Sequence, residues 1–236
     1  ALVVQGPLPG VDTDGPFNFA VRQGASIINN SWGTSAGAGQ ANRYLANQAQ
    51  PMDRWCWLNP DVLLVFAAGN DETDANHDGV LDNIGMSLEV VAKNMLTVGA
   101  SENLRFDGGY NGAWGPAFGG NRFNAIPGAN GAGTGPGGLF MISDNPAQVA
   151  LFSGRGTVRT AAGASTGRIK PDLAAPGTNI LSLRSSLAAP AGGSAANVPP
   201  TVPAVAYALL HGTSMAAPVV TGNAALLRQY LRTRHG

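Results

Sequence analysis

The sequence predicts an α/β fold in which helices pack on both faces of a mostly parallel β-sheet. Short runs rich in Val, Ile and Leu show no polar alternation, which is typical of strands buried on both faces. These runs are residues 1–5, 26–30, 61–67 and 95–100. Helical patterns occur between the strand runs, at residues 16–24 and 38–50. The resulting order of strand, helix, strand and helix is characteristic of α/β proteins.

The first predicted helix, residues 16–24, has an apolar face and a signal for its end. Phe17, Ala20 and Val21 share one side of a helix with 3.6 residues per turn. Gly24 follows them and can end the helix. This pattern predicts a short amphipathic helix that covers one face of the sheet.

Towards the carboxyl end, residues 205–210 are a further strand candidate, and a helical pattern follows to about Arg234.

Two stretches rich in Gly, Ala and Pro, residues 108–138 and 187–203, are predicted surface loops. Apolar runs continue after each stretch, so we interpret residues 1–236 as a single domain. Because the chain lacks an initiating Met and a signal-peptide pattern, we expect a processed product or part of a longer protein.

The chain has 236 residues, of which 44% are hydrophobic. Its composition argues against several functional classes. Lys+Arg and Asp+Glu number 14 each, so we expect no nucleic-acid partner, because phosphate binding needs an excess of basic side chains. No apolar run reaches the roughly 18 residues of a membrane span. Cys56 is the single cysteine, so a disulfide within the chain is excluded.

The acidic residues are concentrated in the first half of the chain. Residues 1–107 contain 5 Lys+Arg and 12 Asp+Glu, a net charge of −7, and residues 108–236 contain 9 and 2, a net charge of +7. Five of the 14 acidic residues lie within residues 71–82. This concentration indicates a cation site more than a generally acidic surface.

Part of this acidic segment has the spacing of a calcium-binding loop. Side-chain oxygens occur at alternate positions, a glycine follows the third of them, and a further Asp comes three residues later. The predicted ligands are Asp74, Asn76, Asp78 and Asp82. An EF-hand would have Glu at the twelfth position, where this chain has Gly85, so a shorter calcium-binding repeat is the better match. The competing interpretation is a solvated acidic loop without an ion.

The strongest chemical motif is HGTSMAAP, residues 211–218, which lies between the predicted strand and the long helix. A serine at a strand-to-helix turn has an exposed hydroxyl beside the free N–H groups of the helix start, an arrangement that suits a nucleophile and its oxyanion. The alternative is that Ser214 only caps the helix. We favour the catalytic interpretation because further motifs accompany this one.

Two of these motifs, VFAAGN and IINNSWG, occupy residues 65–70 and 27–33. In each, a buried strand ends in small residues and a polar side chain. We therefore expect Asn70, Ser31 and Ser214 to lie at the carboxyl ends of strands, where open α/β sheets place their functional sites.

Together with residues 167–182 (GRIKPDLAAPGTNILS), these motifs resemble, in order and spacing, the carboxyl-terminal two thirds of a subtilisin-like serine protease domain. The resemblance covers nearly the whole chain and implies the subtilisin-like three-layer fold without its amino-terminal strands. The Ala- and Gly-rich insertions are similar to those of secreted or cell-surface bacterial subtilases, some of them autotransporter passengers. The resemblance thus implies a secreted or bacterial cell-surface location.

The resemblance also implies roles for individual residues. Ser214 matches the nucleophile of a serine endopeptidase, and Asn70 matches the side chain that donates to the oxyanion, joined by the Ser214 N–H and the Thr213 hydroxyl. Backbone segments on either side of the specificity pocket bind an extended peptide or protein substrate. These segments correspond to Ser31, Trp32 and Gly33, and to Ala67, Ala68 and Gly69.

The catalytic Asp and His of the family precede the segment that residues 1–5 match, so neither is expected in this chain. His211 belongs to the serine motif, and His77 and His235 do not follow a predicted strand. We therefore expect a protease fragment that is inactive alone and needs an upstream segment of the same precursor, or self-association, to fill the gap in the sheet.

Two other functions compete with this interpretation. An α/β-hydrolase esterase is rejected, because its acid follows the serine and no acidic residue occurs after Asp172. A non-catalytic peptide-binding module, a protease that has lost its triad, remains the alternative. The sequence of the gene upstream of Ala1 would distinguish this alternative from a fragment.

Overall fold

Three helices and eight strands occur in the part of the chain that the computed structural model describes, namely residues 15–37, 39–105, 114, 122–123, 125–126, 141–184, 203 and 206–235. The helices are α1 (Pro16–Arg22), α2 (Ala49–Leu58) and α3 (Thr213–His235). The strands are β1 (Ile27–Asn30), β2 (Leu63–Ala67), β3 (Leu96–Ser101), β4 (Gly156–Arg159), β5 (Ser165–Lys170), β6 (Leu173–Pro176), β7 (Ile180–Leu183) and β8 (Tyr207–Leu210).

The central sheet has four strands in the order β1-β2-β3-β6, and all of its pairs are parallel. Strands β4 and β5 form an antiparallel pair beside it, and β7 and β8 form another. The predicted parallel sheet is therefore confirmed, and its first three described strands fall within the predicted runs to within one residue.

Alternate residues of the strands face two separate apolar layers, as the period of a strand requires. Leu64 and Phe66 of β2 pack in one layer with residues of α1 and α2, including Phe17 and Trp55. Val65 faces the other layer, together with residues of β3 and the buried first turns of α3. Helices thus cover both faces of the sheet, and the predicted fold class is confirmed.

The predicted helix at residues 38–50 is wrong, because residues 39–48 form turns, an isolated bridge at Arg43 and irregular chain, and α2 begins at Ala49. Gly39 and Asn42 have φ angles of 79° and 57°, in the left-handed region that a right-handed helix excludes. The next residues pair with a distant strand, since Tyr44 N donates to Arg159 O at 2.8 Å. These tertiary contacts outweigh the local helical pattern.

Part of the Gly-rich stretch at residues 108–138 is not a surface loop. Trp114 and Phe123 are fully buried, and the Trp114 ring contacts that of Phe152 at a centroid distance of 5.6 Å. Burial of these two aromatic rings places Trp114 and Phe123 in the apolar layer on the α3 side. The predicted strand at residues 1–5 and most of the stretch at residues 187–203 lie outside the described residues.

None of the described helices is both long and apolar enough to cross a membrane.

Candidate active site

Ser214 is the second residue of α3, directly after a sharp turn from β8. Gly212 forms this turn with a φ angle of 146°, which side-chain-bearing residues rarely adopt, and its N–H donates to Gly177 O at 2.7 Å. The predicted strand-to-helix turn is present. Ser214 thus follows the carboxyl end of a strand, as expected, but that strand, β8, pairs antiparallel with β7 and is not part of the four-stranded parallel sheet.

Asn70, which lies beyond the end of β2, is bonded to the start of α3. Its Oδ1 accepts from Thr213 N at 2.8 Å and from Thr213 Oγ1 at 3.0 Å. A backbone N–H can only donate, so this contact identifies which end of the carboxamide is the oxygen. The Nδ2 group is then the end that can donate to a ligand beside the turn that precedes Ser214. A Cβ at Gly212 would lie 3.5 Å from Asn70 Nδ2, which shows how close this turn is.

Thr213 is completely buried and holds the two segments together. Its hydroxyl oxygen accepts from Gly69 N at 3.1 Å while its hydroxyl hydrogen points to Asn70 Oδ1. In this arrangement the hydroxyl orients Asn70. The direct oxyanion role predicted for Thr213 would require the hydroxyl to turn away from the amide.

Ser31 and Ser214 bond to each other reciprocally. The Ser31 hydroxyl donates to Ser214 O at 2.9 Å, and the Ser214 hydroxyl donates to Ser31 O at 3.2 Å. The structure therefore brings together the end of β1 and the first turn of α3, as the motifs predict. The hydroxyl hydrogen of Ser214 is directed to a carbonyl oxygen and not to an imidazole.

The segment that follows β1 is exposed on one side and held from the other. The Trp32 ring packs edge-on against Phe66 at 5.2 Å and remains 37% exposed. A Cβ at Gly33 would lie 2.5 Å from Ser87 Oγ, so glycine is required there. The buried Glu89 carboxylate accepts from both the N–H and the hydroxyl of Thr34, at 2.9 and 2.6 Å. This segment is thus a rigid edge with one face open to solvent.

The second predicted substrate-binding segment has a different environment. Ala67, Ala68 and Gly69 are buried. Ala68 N donates to Val98 O, and Ala68 O accepts from Ser87 N. Gly69 O accepts from Gly154 N at 2.9 Å. Because these groups of Ala68 and Gly69 are already bonded within the protein, the segment forms a wall of the site and not a second edge for strand-like peptide binding.

The acidic loop is organised by hydrogen bonds to its own backbone. The Asp74 carboxylate accepts from the N–H groups of Asp78 and Gly79 at 3.1 and 3.0 Å, and Asp82 accepts from Ala75 N at 2.7 Å. In the described part of the chain, no three His, Cys, Asp or Glu side chains are grouped to hold a metal ion. Calcium binding stays a prediction from the spacing.

His211 precedes the Gly212 turn and is largely buried, which lowers the pKa of its imidazole. Its Nδ1 accepts from Asn179 N at 3.4 Å. This places His211 behind the turn as a structural residue, consistent with its assignment to the serine motif. His77 lies in the exposed acidic loop and His235 at the exposed end of α3.

Sequence patterns gave no indication of a buried polar network behind the site. Glu102 is fully buried and accepts from Trp114 Nε1 and Asn145 N, both at 3.2 Å. Burial, together with a side-chain hydrogen bond to Asp144, raises the pKa of Glu102 to about 8. The neighbouring Ser143 hydroxyl bonds to Thr178 and Asn179, at 2.7 and 2.9 Å, and Asn179 in turn bonds to His211.

Two further residues near Asn70 were also missed. Arg122 donates to the carbonyl oxygens of Asn70 and Glu72, and the buried Glu72 carboxylate accepts from Ile84 N and Gly85 N. Arg122 is 52 residues from Asn70 in a Gly-rich stretch without periodicity. The sequence signal near these residues is the acidic run that contains Glu72, and that run predicts a cation site and not this hydrogen-bonding role.

A comparison with protein families finds that the model of the subtilase family of peptidases matches residues 3–233. The chain belongs to the subtilase family. Membership of this family supports serine protease activity in general.

Two curated relatives are similar to parts of the chain. The serine protease/ABC transporter B family protein tagD of Dictyostelium discoideum is 26% identical over 95% of this chain and 13% of its own length. The subtilisin-like protease SBT1.6 of Arabidopsis thaliana is 42% identical over 37% of this chain and 10% of its own length. The chain therefore spans only about a tenth of the length of the curated relatives it matches.

Solved structures of maturation proteases are also similar to the chain. The patellamide maturation protease PatA is 23% identical with a TM-score of 0.47, over 92% of this chain and 49% of its own. The prenylagaramide maturation protease PagA is 22% identical with a TM-score of 0.46, over 92% of this chain and 48% of its own.

Replacement of Glu102 by Gln should weaken the dependence of stability on pH. The pKa of Glu102, about 8, is above its ordinary value of 4.5, so its stabilising contribution is complete below about pH 4.5 and is lost as the pH rises through about 8. Within this range one proton produces a slope of about 1.4 kcal/mol per pH unit at most. Urea unfolding at several pH values should show a shallower decline for Glu102→Gln than for the unsubstituted chain. If the free energy of unfolding declines equally with pH in both proteins, Glu102 does not have a raised pKa.

Proposed function

We propose that the chain is the larger part of a subtilisin-like serine endopeptidase domain, with Ser214 as nucleophile and Asn70 as oxyanion donor. The observation that carries this proposal is the contact between Asn70 Oδ1 and Thr213. This contact directs the carboxamide oxygen of Asn70 towards Thr213. The Nδ2 group is then free to donate to a ligand beside the Gly212 turn, which precedes Ser214. Within the described residues, Nδ2 donates no hydrogen bond that a substrate oxygen would have to displace.

The proposed reaction begins with attack of Ser214 Oγ on the carbonyl carbon of the scissile peptide bond. As the new C–O bond forms, the hydroxyl proton passes to a general base and negative charge develops on the carbonyl oxygen. Asn70 Nδ2 and the N–H of Ser214, in the first turn of α3 where no intrahelical acceptor exists, would donate to that oxygen. The base then gives this proton to the leaving nitrogen as the C–N bond breaks, and departure of the amine leaves an acyl-enzyme, which water hydrolyses.

We propose that the general base and its orienting carboxylate, a His and an Asp, belong to an upstream segment of the same precursor. In the described structure the Ser214 hydroxyl donates to Ser31 O, and binding of a base would redirect it. A serine without a base is a weak nucleophile, so this chain alone should be inactive. The alternative is a peptide-binding module without catalysis, in which no upstream Asp and His exist.

The substrate proposed is an extended peptide or protein segment that pairs with the exposed edge at Ser31–Gly33. The backbone there is rigid, faces solvent and adjoins Ser214. Extended peptides bind such edges through main-chain hydrogen bonds, and the adjacent pockets set side-chain preference. Family membership and the Ala- and Gly-rich insertions support a secreted or bacterial cell-surface location.

Uncovered apolar surface supports the proposal that an upstream segment packs against this chain. Among the described strands, β1 pairs only with β2, so its other edge has no partner there. The second half of α3 exposes Leu226, Leu227 and Tyr230, each by more than half. A groove of about 820 Å³ lies between α3 and the start of β1. Such an edge and apolar face favour association.

The complete precursor should be active and the 236-residue chain should not. In subtilisin, a member of the same family, loss of the catalytic serine or histidine lowers kcat by about six orders of magnitude, and we expect a loss of this order for the chain without its base. A fluorophosphonate probe should label the precursor rapidly, and the 236-residue chain only very slowly. Ser214→Ala should abolish labelling of both. Rapid labelling of Ser214 in the chain alone would show that its base is present.

A bound upstream segment should be visible as a separate mass. When the precursor is cleaved before Ala1, we expect the two pieces to remain together in size-exclusion chromatography and to separate in denaturing mass spectrometry. The alternative occupant, a second copy, would double the apparent size with a single mass of 24.0 kDa. A monomeric 24.0 kDa chain that unfolds cooperatively would contradict the need for any covering segment.

Calcium should stabilise the protein if the acidic loop binds it. We expect a chelator to lower the Tm, by an amount that grows with the ratio of free calcium to its Kd. Asp78→Ala should remove this response, because Asp78 is a predicted ligand. Asp61→Ala, a substitution outside the loop, should retain it. Identical melting curves with and without chelator would leave the solvated acidic loop as the interpretation.

A further inference from the structure

Arg122 contacts the chain immediately after Asn70 through its side chain and its backbone. Its Nη2 donates to Asn70 O at 2.7 Å and to Glu72 O at 2.6 Å. Its own carbonyl oxygen accepts from Asp74 N at 3.0 Å. The Thr73 hydroxyl also donates to Arg122 O, at 3.4 Å. A single residue therefore bonds the proposed oxyanion donor and three positions of the segment that follows it.

The surroundings of Arg122 hold the guanidinium in one place. It lies over the Phe123 ring at 5.2 Å, and that ring is fully buried against Trp114. Desolvation lowers the pKa of the guanidinium, and the carboxylates of Asp71 and Glu72 oppose this effect. A partly desolvated guanidinium is stable only where acceptors satisfy its donors, and here the acceptors are the two carbonyl oxygens.

The segment from Asn70 to Asp74 has no regular secondary structure and relies on such contacts. Glu72 anchors its middle, since Glu72 N donates to Phe152 O at 3.2 Å and the carboxylate accepts from Gly85 N. Arg122 is the residue that bonds the peptide group of Asn70 itself. Without that bond the peptide plane after Asn70 could rotate, and among the described residues only the bonds from Thr213 to the carboxamide would then resist movement of Asn70.

We propose that Arg122 is a positioning residue for Asn70, which fixes the backbone of Asn70 so that Nδ2 meets the developing oxyanion. This inference rests on the proposed function. Arg122 acts on the reaction only through Asn70, because its guanidinium bonds the carbonyl oxygens of Asn70 and Glu72 and not the hydroxyl of Ser214. It is therefore distinct from the residues that touch the substrate.

A double-mutant cycle in the complete precursor tests this coupling. Arg122→Gln should lower kcat roughly 10- to 100-fold with little change in KM, as expected when a catalytic group is misplaced by a fraction of an ångström to about 1 Å. Asn70→Ala should lower kcat by about 10²–10³-fold, the range measured for loss of this donor in subtilisin. In combination with Asn70→Ala, Arg122→Gln should have no further effect on kcat.

Two other variants distinguish positioning from general stabilisation. Arg122→Lys keeps a charged donor for both carbonyl oxygens and should recover most of kcat. Arg155 is the matched control, since it is also desolvated and donates to backbone oxygens, those of Ala150 and Ser153, but not to Asn70. Arg155→Gln should lower the Tm without a selective loss of kcat. If Arg155→Gln and Arg122→Gln change kcat and Tm alike, or if the Arg122→Gln effect persists with Asn70→Ala, the proposal is wrong.

An NMR measurement tests the same claim when the precursor has no protease activity. The side-chain amide signal of Asn70 is assigned by its absence in Asn70→Ala. Arg122→Gln should shift or broaden that signal, while Arg155→Gln should leave it in place. An unchanged Asn70 signal in Arg122→Gln overturns the positioning role. Absence of cleavage by the unsubstituted precursor overturns only the proposed function.

Discussion

The candidate active site depends on the contact between Asn70 and the first turn of α3. Thr213 donates to the Asn70 amide oxygen through both its N–H and its hydroxyl, and so joins residues 143 positions apart in the chain. The sheet and helix bring these segments near each other, but only the hydrogen bonds orient the carboxamide. Ser31 makes the corresponding connection from β1, through its reciprocal bonds with Ser214. Three chain segments therefore meet at one helix end.

Close backbone approach behind Asn70 makes this meeting possible. Cβ atoms at Gly69 and Gly154 would lie 2.7 and 2.5 Å from the same oxygen, Gly85 O. Real Cβ contacts are not this short, so the loop after β2 and the segment before β4 can pack together only because glycine occurs at these positions. Some of the glycines among the described residues are thus required because loops pack closely against each other.

Elements that are determined by a short stretch of sequence could be predicted from that sequence. The strands β1, β2 and β3 coincide with runs rich in β-branched and other apolar residues, and the serine motif at Ser214 contains a glycine turn followed by a helix. The predicted helix at residues 38–50 failed because its turns are set by distant partners, such as the bond from Tyr44 N to Arg159 O. Similarly, antiparallel pairing of β8 with β7 depends on topology, which apolar periodicity does not encode.

Buried carboxylates account for most of what the sequence did not reveal. A loop that is buried must satisfy its N–H groups without the ladders of a helix or sheet. Here four buried acidic side chains accept such groups from loops at least 12 residues away in the chain: Asp53 from Lys93 and Asn94, Glu72 from Ile84 and Gly85, Glu89 from Thr34, and Glu102 from Asn145. Each partner is more than ten residues away, so no short motif marks the interaction. The low charged fraction, 12%, therefore understates the importance of these residues, since several of them hold together the loops around the site.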